Sequence, residues 1–198
     1  MLKNFMAGAA AAIALSVLGV PAQAQNSDSY RFLKAVREGD GSEVEKLLAS
    51  PNPVLVNTKD SAKGETALHI IAGERNLSWL QFLMSKGARA DVQNREGSTP
   101  LAVSAQLGWI EGAEQLLSAR ASVDLANSRG ETPLILAVQR RDLAMVRLLL
   151  AAGANPNKAD RVAGYSALDY AKRDGRSAII LKALAAPAAK KGAAGPAR

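Results

Sequence analysis

The sequence predicts an all-α solenoid of about five helix-turn-helix units, and two observations predict this fold class. The first is a repeat, because Gly64, Gly97, Gly130 and Gly164 are separated by 33, 33 and 34 residues. A fixed period of this length is typical of stacked supersecondary units. The second is hydrophobic periodicity, because two runs with apolar residues at helical spacing follow each glycine, as expected of paired amphipathic helices.

The first 24 residues have the organisation of a secretory signal peptide. Lys3 precedes an uncharged Ala/Leu/Val-rich run, and Ala22 and Ala24 place small residues at the two positions that signal peptidase reads. The alternative is a membrane anchor, but the apolar run over 5–20 is shorter than the roughly 20 residues that a span requires. We therefore expect residues 1–24 to be cleaved and the protein to be exported to the periplasm, with no integral membrane anchor.

The composition restricts the protein class further. The chain has no cysteine, which excludes disulfides and a lipid-modified cysteine anchor. Its formal net charge is +7, and part of this charge lies in residues 187–198, an Ala/Pro/Gly/Lys segment without hydrophobic periodicity. That composition predicts a disordered basic tail.

Each turn glycine is followed by a signal for the start of a helix. A hydroxyl residue two positions later is placed to cap a helix by accepting a hydrogen bond from an unpaired backbone N–H. In two units proline follows the cap, at the first helical position, where its missing N–H costs nothing. The expected caps are Thr66, Thr99, Thr132 and Ser166, and the prolines are Pro100 and Pro133.

A second helix follows in each unit after a break at polar or glycine residues. Gly87 and Gly153 stand just past the end of that helix, where glycine commonly terminates helices. These limits divide the chain into an N-terminal capping repeat, three full repeats and a C-terminal capping repeat. Their predicted bounds are 25–58, 59–92, 93–125, 126–158 and 159–186.

The N-terminal unit and the last turn depart from the pattern. Ser42 followed by Glu45 predicts a capping box at the second helix of the first unit. Pro51 and Pro53 predict that no helix crosses the connection to the next unit. One extra residue before Gly164 predicts a turn that bulges relative to its neighbours.

One set of aligned positions predicts how neighbouring units pack. The position of Trp79 is occupied by Gly112 in the next unit and by Met145 in the unit after that. A small residue beside a large one indicates complementary packing. We therefore expect the ring of Trp79 to lie over Gly112.

These motifs resemble the ankyrin repeat family, which has a period of about 33 residues and a T-P-L-H-x-A signature. Parts of the signature stand at Thr99-Pro100-Leu101, at Thr132-Pro133-Leu134 and at Leu68-His69. A Gly-Ala-x-x-Asn/Asp ending recurs at 87–91 and 153–157. The resemblance covers nearly all of the expected mature chain, and it implies units of a turn and two helices that together form a protein-interaction module.

His69 is the only histidine of the chain. The resemblance implies that it forms hydrogen bonds locally and stabilises its turn. The equivalent residues of the other units are Ala102, Ile135 and Asp169, so no metal-ligating shell recurs, and a metal site requires several converging ligands. We expect no metal and no cofactor.

The sequence contains no pattern that predicts catalysis. Cysteine is absent and histidine occurs once, and neither a G-x-S-x-G elbow nor a phosphate-binding GxxxxGK loop occurs. Carboxylate pairs such as Glu43/Glu45 and Glu111/Glu114 fit solvated helix faces. We therefore expect the protein not to be an enzyme.

The resemblance implies a concave binding face built from the turn tips and the first helices. In proteins that this one resembles, partners contact residues beside the turn glycine and at the end of the first helix. Trp109 has two interpretations, a partly exposed interface anchor or a core residue beside Gly112. Carried over by position, the candidate partner-binding residues are Lys63, Glu65, Glu74, Arg95, Glu96, Ser98, Gln106, Leu107, Trp109, Arg129, Glu131, Gln139, Arg140, Tyr165 and Arg173.

Charges of both signs lie side by side in the turns, as in Arg95-Glu96. This favours a protein partner over nucleic acid, because nucleic-acid readers present a one-sided basic stripe. The sequence thus predicts a monomeric module for an unidentified protein partner. Two alternatives stay open: a chaperone-like or protective accessory of one exported enzyme, and attachment to the cell envelope through Lys190 and Lys191.

Overall fold

The computed structural model describes residues 27–49, 53–175 and 178–185, so the predicted signal peptide and basic tail lie outside the described residues. Within these ranges the secondary structure is helical, and one isolated antiparallel bridge joins Ala159 to Ser166. The predicted all-α class is confirmed. The described helices are α1 (Asp28–Glu38), α2 (Gly41–Leu47), α3 (Pro53–Val56), α4 (Ala67–Glu74), α5 (Leu77–Ser85), α6 (Pro100–Leu107), α7 (Ile110–Ser118), α8 (Pro133–Gln139), α9 (Leu143–Ala151), α10 (Ala167–Arg173) and α11 (Ala178–Ala185).

The helices form two packed rows. In the first row α1, α4, α6, α8 and α10 pack in sequence, and in the second row α5, α7, α9 and α11 do so. The two helices of each unit also pack against each other. Each unit therefore contacts its sequence neighbours, which is the arrangement of a solenoid.

The first helices begin at the predicted caps. The hydroxyl oxygens of Thr99, Thr132 and Ser166 each accept a hydrogen bond from the backbone N–H three residues later, at 3.2, 3.3 and 3.2 Å. Pro100 and Pro133 are the first residues of α6 and α8. The helix starts were therefore readable from local sequence, because they depend on contacts within one turn of chain.

The second helices begin at Asx caps in three units, formed by Asp40, Asn76 and Asp142. The capping box predicted at Ser42 is wrong. The carboxylate of Asp40 accepts the N–H of Glu43 at 3.0 Å, so α2 begins at Gly41, before the start that a box at Ser42 requires. The acidic cap outcompetes the hydroxyl because its charged oxygen is the stronger acceptor.

Trp109 precedes α7 without a side-chain capping bond, and the residue is 5 % exposed. A Cβ atom on Gly112 would lie 2.0 Å from Cε3 of Trp109, so the indole fills the space beside this glycine. The prediction that Trp79 covers Gly112 is wrong, because Trp79 packs edge-to-face on Phe82 with ring centroids 5.7 Å apart. Of the two interpretations of Trp109, the core residue beside Gly112 is confirmed and the partly exposed interface anchor is wrong.

The connection after the first unit contains a helical turn that the sequence did not predict. Helix α3 begins at Pro53, where a proline loses no hydrogen bond, and it packs on α1. Leu55 and Val56 are buried within it. The expectation of a helix-free connection was wrong because proline forbids helix before itself but permits it afterwards.

A continuous apolar core runs through the rows. Its fully buried side chains include Phe32, Leu68, Leu101, Leu134 and Leu149, one or more from each region of the stack. Among the described residues no buried side-chain nitrogen or oxygen lacks a hydrogen bond. In the same part of the chain, no helix is both long enough and apolar enough to cross a membrane.

Candidate functional site

Four turns, each just before a first helix, share one hydrogen-bonding scheme. The N–H of an Asx residue that opens the turn donates to the carbonyl that closes it, and the Asx side-chain oxygen accepts further N–H groups inside the turn. Asn opens the two shorter turns, and Asp opens the two longer ones. The last turn is one residue longer than the turn before it, and the predicted bulge stays a prediction. The turns are 60–65, 94–98, 127–131 and 160–165.

The two aspartates hold their turns as carboxylates. Burial acts to raise the pKa of Asp60, but the N–H of Lys63 and the guanidinium of Arg37 outweigh burial and hold the pKa below its ordinary value. The pKa of Asp160 is likewise lowered, because the Tyr170 hydroxyl, which donates at 2.6 Å, and N–H groups of the turn outweigh burial. Both side chains are therefore charged at neutral pH.

Main-chain hydrogen bonds join each turn to the next. Arg95 N–H donates to the carbonyl of Lys63 at 2.9 Å, and Ser128 N–H donates to that of Glu96 at 2.9 Å. Arg161 N–H donates to the carbonyl of Arg129 at 2.8 Å. Each acceptor is the residue immediately before a turn glycine. We call the four turns with these bonds the turn ladder, and its bonds fix the turn tips relative to one another.

The turn glycines allow this close approach. A Cβ atom on Gly97 would lie 2.6 Å from the backbone nitrogen of Ser128, and one on Gly130 would lie 2.5 Å from that of Arg161. At Gly164, the last of the series, no atom of the described residues lies within 4 Å of the same position. Gly97 and Gly130 thus have both a positive φ and a neighbouring backbone in close approach. Gly164 has the positive φ alone, at 69°.

His69 connects two neighbouring units. Its Nδ1 accepts the N–H of Thr66 at 3.2 Å, so the proton lies on Nε2, which donates to the carbonyl of Ser98 at 2.8 Å. Burial lowers the pKa of the imidazole, and the hydrogen bond to Ser98 offsets only part of that effect. The local role expected for His69 is confirmed. The bond to the next unit is an additional role that required the stacked structure to be seen.

We expect the free energy of unfolding to decrease as the pH falls below about 6.5, the ordinary pKa of histidine in an unfolded chain. Because the native pKa of His69 is lowered, its stabilising contribution is complete above that pH. It is lost as the pH falls toward the native pKa, since the unfolded chain then binds the proton more readily. Urea denaturation at stepped pH values measures the decrease.

The control for this pH effect is His69→Asn. Because His69 is the single histidine of the chain, this variant has no histidine that can titrate. The variant should be less stable at neutral pH and should show a shallower pH dependence between about 6.5 and 5. Equal pH dependence of the two proteins would show that His69 is not the titrating group.

The predicted partner-binding residues occupy three environments. Most are exposed, a few are half-buried, and the remainder are buried in the fold. The exposed ones are Lys63, Glu74, Arg95, Glu96, Gln106, Arg129, Gln139, Arg140 and Arg173, the half-buried ones are Glu65, Leu107 and Tyr165, and the buried ones are Ser98, Trp109 and Glu131.

The buried residues serve the fold, so their expected exposure is corrected. Ser98 is 7 % exposed, and its carbonyl is occupied by His69. Glu131 is 5 % exposed, and its carboxylate accepts a hydrogen bond from Asn127 Nδ2 at 2.9 Å. Their position beside a turn glycine predicted exposed side chains for both residues. The structure buries both, Ser98 through backbone hydrogen bonds of its turn and Glu131 through a side-chain bond to Asn127.

An aromatic cluster at the C-terminal end was only partly predicted. The rings of Tyr165 and Tyr170 meet edge-to-face with centroids 5.6 Å apart, and the Arg173 guanidinium lies 4.6 Å from the centroid of Tyr165. The hydroxyl of Tyr170 donates to Asp160, and this hydrogen bond is the largest cause of its raised pKa. Sequence analysis missed Tyr170 because its partner lies in the turn. The Asx residue before each turn glycine was a readable signal that also went unused.

Two arginines that sequence analysis missed join neighbouring first-helix ends. Arg75 and Arg141 have φ values of 55° and 59°, which cost a non-glycine residue about 1 kcal/mol. Arg75 Nη2 donates to the carbonyl of Leu107 at 2.5 Å, and Arg141 donates two bonds of 2.6 Å to Asp174. Each arginine thus accepts backbone strain and gains a bond to the next unit.

The described residues include no group of three or more His, Cys, Asp or Glu side chains placed to hold a metal ion. The polar groups that converge do so within the turns, where they bind backbone N–H groups. What the arrangement offers to another molecule is therefore a row of rigid tips with exposed side chains.

Comparison with known proteins gives a family match over most of the chain. A family model described as "Ankyrin repeats (3 copies)" matches residues 32–127 and again residues 111–193. The chain is 31 % identical over 88 residues to E3 ubiquitin-protein ligase XB3 of Oryza sativa subsp. japonica, a match that covers 44 % of this chain and 19 % of the ligase. It is 35 % identical over 74 residues to diacylglycerol kinase iota of Mus musculus and of Homo sapiens, covering 37 % of this chain and 7 % of each kinase.

The chain therefore corresponds to less than a fifth of the length of these relatives. The ligase and kinase names describe those whole proteins, and the similarity to them lies in repeats.

Proposed function

Because the chain belongs to the ankyrin repeat family, we propose that it is a non-enzymatic protein-interaction module that acts as a monomer in the periplasm. It binds a partner protein through what we call the turn face, which consists of the exposed side chains of the turn ladder and of the C-terminal ends of α4, α6, α8 and α10. Ankyrin repeats act as protein-interaction modules.

The turn ladder is the observation that carries the proposal. The main-chain bonds between turns are 2.8–2.9 Å long, so the tips are already ordered before a partner arrives. A preordered surface loses little conformational entropy on binding. The exposed residues whose carbonyls accept these bonds are Lys63, Glu96 and Arg129, which present alternating charges at successive tips.

This alternation favours a protein surface with the complementary order of charges, since opposed charges across an interface select the partner and its orientation. A polyanion would be repelled at Glu96 and attracted at the two neighbouring tips. The turn face is thus suited to discriminating between proteins and poorly suited to binding nucleic acid.

The periplasmic part of the proposal is supported by the signal-peptide organisation of residues 1–24. N-terminal sequencing of the protein recovered from a periplasmic fraction tests it. We expect the recovered chain to begin at Gln25, and recovery from the cytoplasm with Met1 retained would contradict the proposed location.

The binding proposal predicts that one partner is captured from an extract of exported proteins and is lost on reversing the tip charges. The test variant is Glu96→Lys with Arg129→Glu, which preserves the net charge. Arg95 is not used, because its Nη1 donates to the carbonyl of Ala62 at 2.8 Å. Arg129 also has an internal contact, an ion pair of 3.3 Å with Glu131, so thermal unfolding of the variant is measured before the capture experiment. Reversal of two interface charges should weaken binding by roughly tenfold or more.

The matched control is Glu114→Lys with Arg147→Glu, which reverses one exposed charge of each sign on the second-row helices α7 and α9. The control should retain the partner at low and high salt. Equal capture by both variants would contradict the turn face as the binding site. Recovery of diffuse, salt-sensitive material alone would favour surface association through the basic tail.

A further inference from the structure

The C-terminal end of the turn ladder lacks the contact that covers every earlier turn. Within the ladder, the carbonyl immediately before a turn glycine accepts an N–H from the following turn. The corresponding residue of the last turn is Ala163, and among the described residues no N–H donates to its carbonyl. Gly164 likewise has no atom within 4 Å of the position that a Cβ would occupy.

The opposite end of the ladder presents the donor side of the first turn, beside the carboxylate of Asp60. In each later turn the donating residue is the one immediately after the Asx residue, so the corresponding residue of the first turn is Ser61. The next two residues of the first turn, Ala62 and Lys63, donate their N–H groups to the carboxylate of Asp60 at 3.1 and 2.7 Å. Arg37 also donates to that carboxylate, at 2.5 Å. The two ends of the ladder therefore differ, and the C-terminal end, which we call the open end, presents a hydrogen-bond acceptor that no described residue covers.

The side chains at the open end do not obstruct an approaching backbone. Lys63, Glu96 and Arg129 place charged side chains at tips whose carbonyls are already covered, whereas the uncovered tip carries Ala163. Charged side chains are a common protection of exposed main-chain edges, and this tip lacks one. Beside it Val162 is 70 % exposed, although its N–H is held by Asp160 at 2.9 Å.

We propose that the last turn binds an extended backbone segment of the partner protein. One main-chain N–H of that segment donates to the carbonyl of Ala163, its backbone lies over Gly164, and an apolar side chain packs on Val162. The inference rests on the proposed function, for which it specifies a docking mode. Addition of a backbone to an exposed edge supplies affinity through the main chain, and the neighbouring side chain supplies specificity.

The internal contacts of the ladder are the template for this binding mode. At Gly97 and Gly130 the following turn brings a backbone nitrogen to 2.6 and 2.5 Å from the position of a Cβ. A backbone docked at Gly164 in the same way would collide with any side chain placed there. The free chain has room for that side chain, which separates an effect on binding from an effect on folding.

The test variant is Gly164→Asn, because asparagine adopts positive φ more readily than other non-glycine residues. Its matched control is Gly39→Asn, at a glycine that has the same φ of 69° and also has no atom within 4 Å of its Cβ position. Both variants should fold with similar stability. Thermal unfolding of each confirms this before binding is measured.

The probe is a phage-displayed library of short linear peptides selected on the full chain, followed by affinity measurements with the selected synthetic peptides. We expect peptides whose affinity falls at least about tenfold on Gly164→Asn, and less than about twofold on Gly39→Asn and on the tip-charge variant of Glu96 and Arg129. Methylation of one peptide-backbone nitrogen should abolish binding of the same peptides.

Other outcomes overturn the inference, and they separate it from the proposed function. If the peptides lose affinity only with the tip-charge variant, the turn face would still be a binding site, but the open end would not be part of it. Failure to select any peptide would overturn the binding mode, while the capture experiment would still test the turn face. If the chain self-associates and Gly164→Asn abolishes this, the occupant of the open end would be a second copy of the chain. If peptides bind only after removal of residues 187–198, the occupant would be the chain's own C-terminal segment.

Discussion

Gly97→Ala is expected to destabilise the protein by about 3 kcal/mol or more, whereas Gly164→Ala should cost about 1 kcal/mol. Both residues have positive φ, 73° and 69°, so both substitutions carry the strain of a left-handed conformation. Only at Gly97 does the new methyl group meet a neighbouring turn, 2.6 Å from the backbone nitrogen of Ser128. The turn must shift, and its bond to the carbonyl of Glu96 must lengthen.

Urea denaturation of the two variants and the wild-type chain measures the difference, and Gly164→Ala serves as the control for φ strain. The difference between the variants isolates the contact between turns. Equal destabilisation of the two would show that the turns do not press on one another, and the rigidity assigned to the turn ladder would then be unsupported.

Leu134→Ala should also be strongly destabilising, by about 2 to 5 kcal/mol. The side chain of Leu134 is 0 % exposed, and its helix α8 packs against α6, α9 and α10. Removal of the isobutyl group leaves a cavity where three helices meet, so the stack loses contacts on both sides of the central repeat. Chemical denaturation followed by far-UV circular dichroism measures the loss.

The control for this substitution is Ile179→Ala in α11, where the side chain is 58 % exposed. Little apolar surface returns to water there and alanine is a good helix former, so the change should stay within about 0.5 kcal/mol. A loss at Leu134 as small as that at Ile179 would mean that the core and the stacking of the units are assigned in the wrong register.

Much of the fold followed from signals within one unit. The 33-residue period of the turn glycines, the Thr and Ser caps and the helix-starting prolines are local features. Each depends on hydrogen bonds or backbone angles a few residues apart along the chain. The capping box at Ser42 failed for the same local reason, because Asp40 offers a stronger cap two residues earlier.

The candidate site was predictable in position but less so in orientation. Alignment to the turn glycines placed Lys63, Glu96 and Arg129 on exposed tips. The same alignment placed Glu131 there, although its side chain turns inward to Asn127. The direction of such a side chain depends on which polar groups of the turn still lack a hydrogen-bond partner, and these groups are known only from the folded turn.

The sequence by itself determined the helical class, the order of the helix pairs and the starts of the first helices, because the same cap and turn residues recur in each repeat. The tertiary structure decided what one unit does to the next: His69 donates to the carbonyl of Ser98, Arg95 N–H donates to the carbonyl of Lys63, and the last carbonyl of the ladder, that of Ala163, is left uncovered by the described residues. These contacts join residues about one repeat apart, and they arise only when the helix pairs stack. Stacking distance and rotation are set by the fit of whole side chains, which no single repeat encodes.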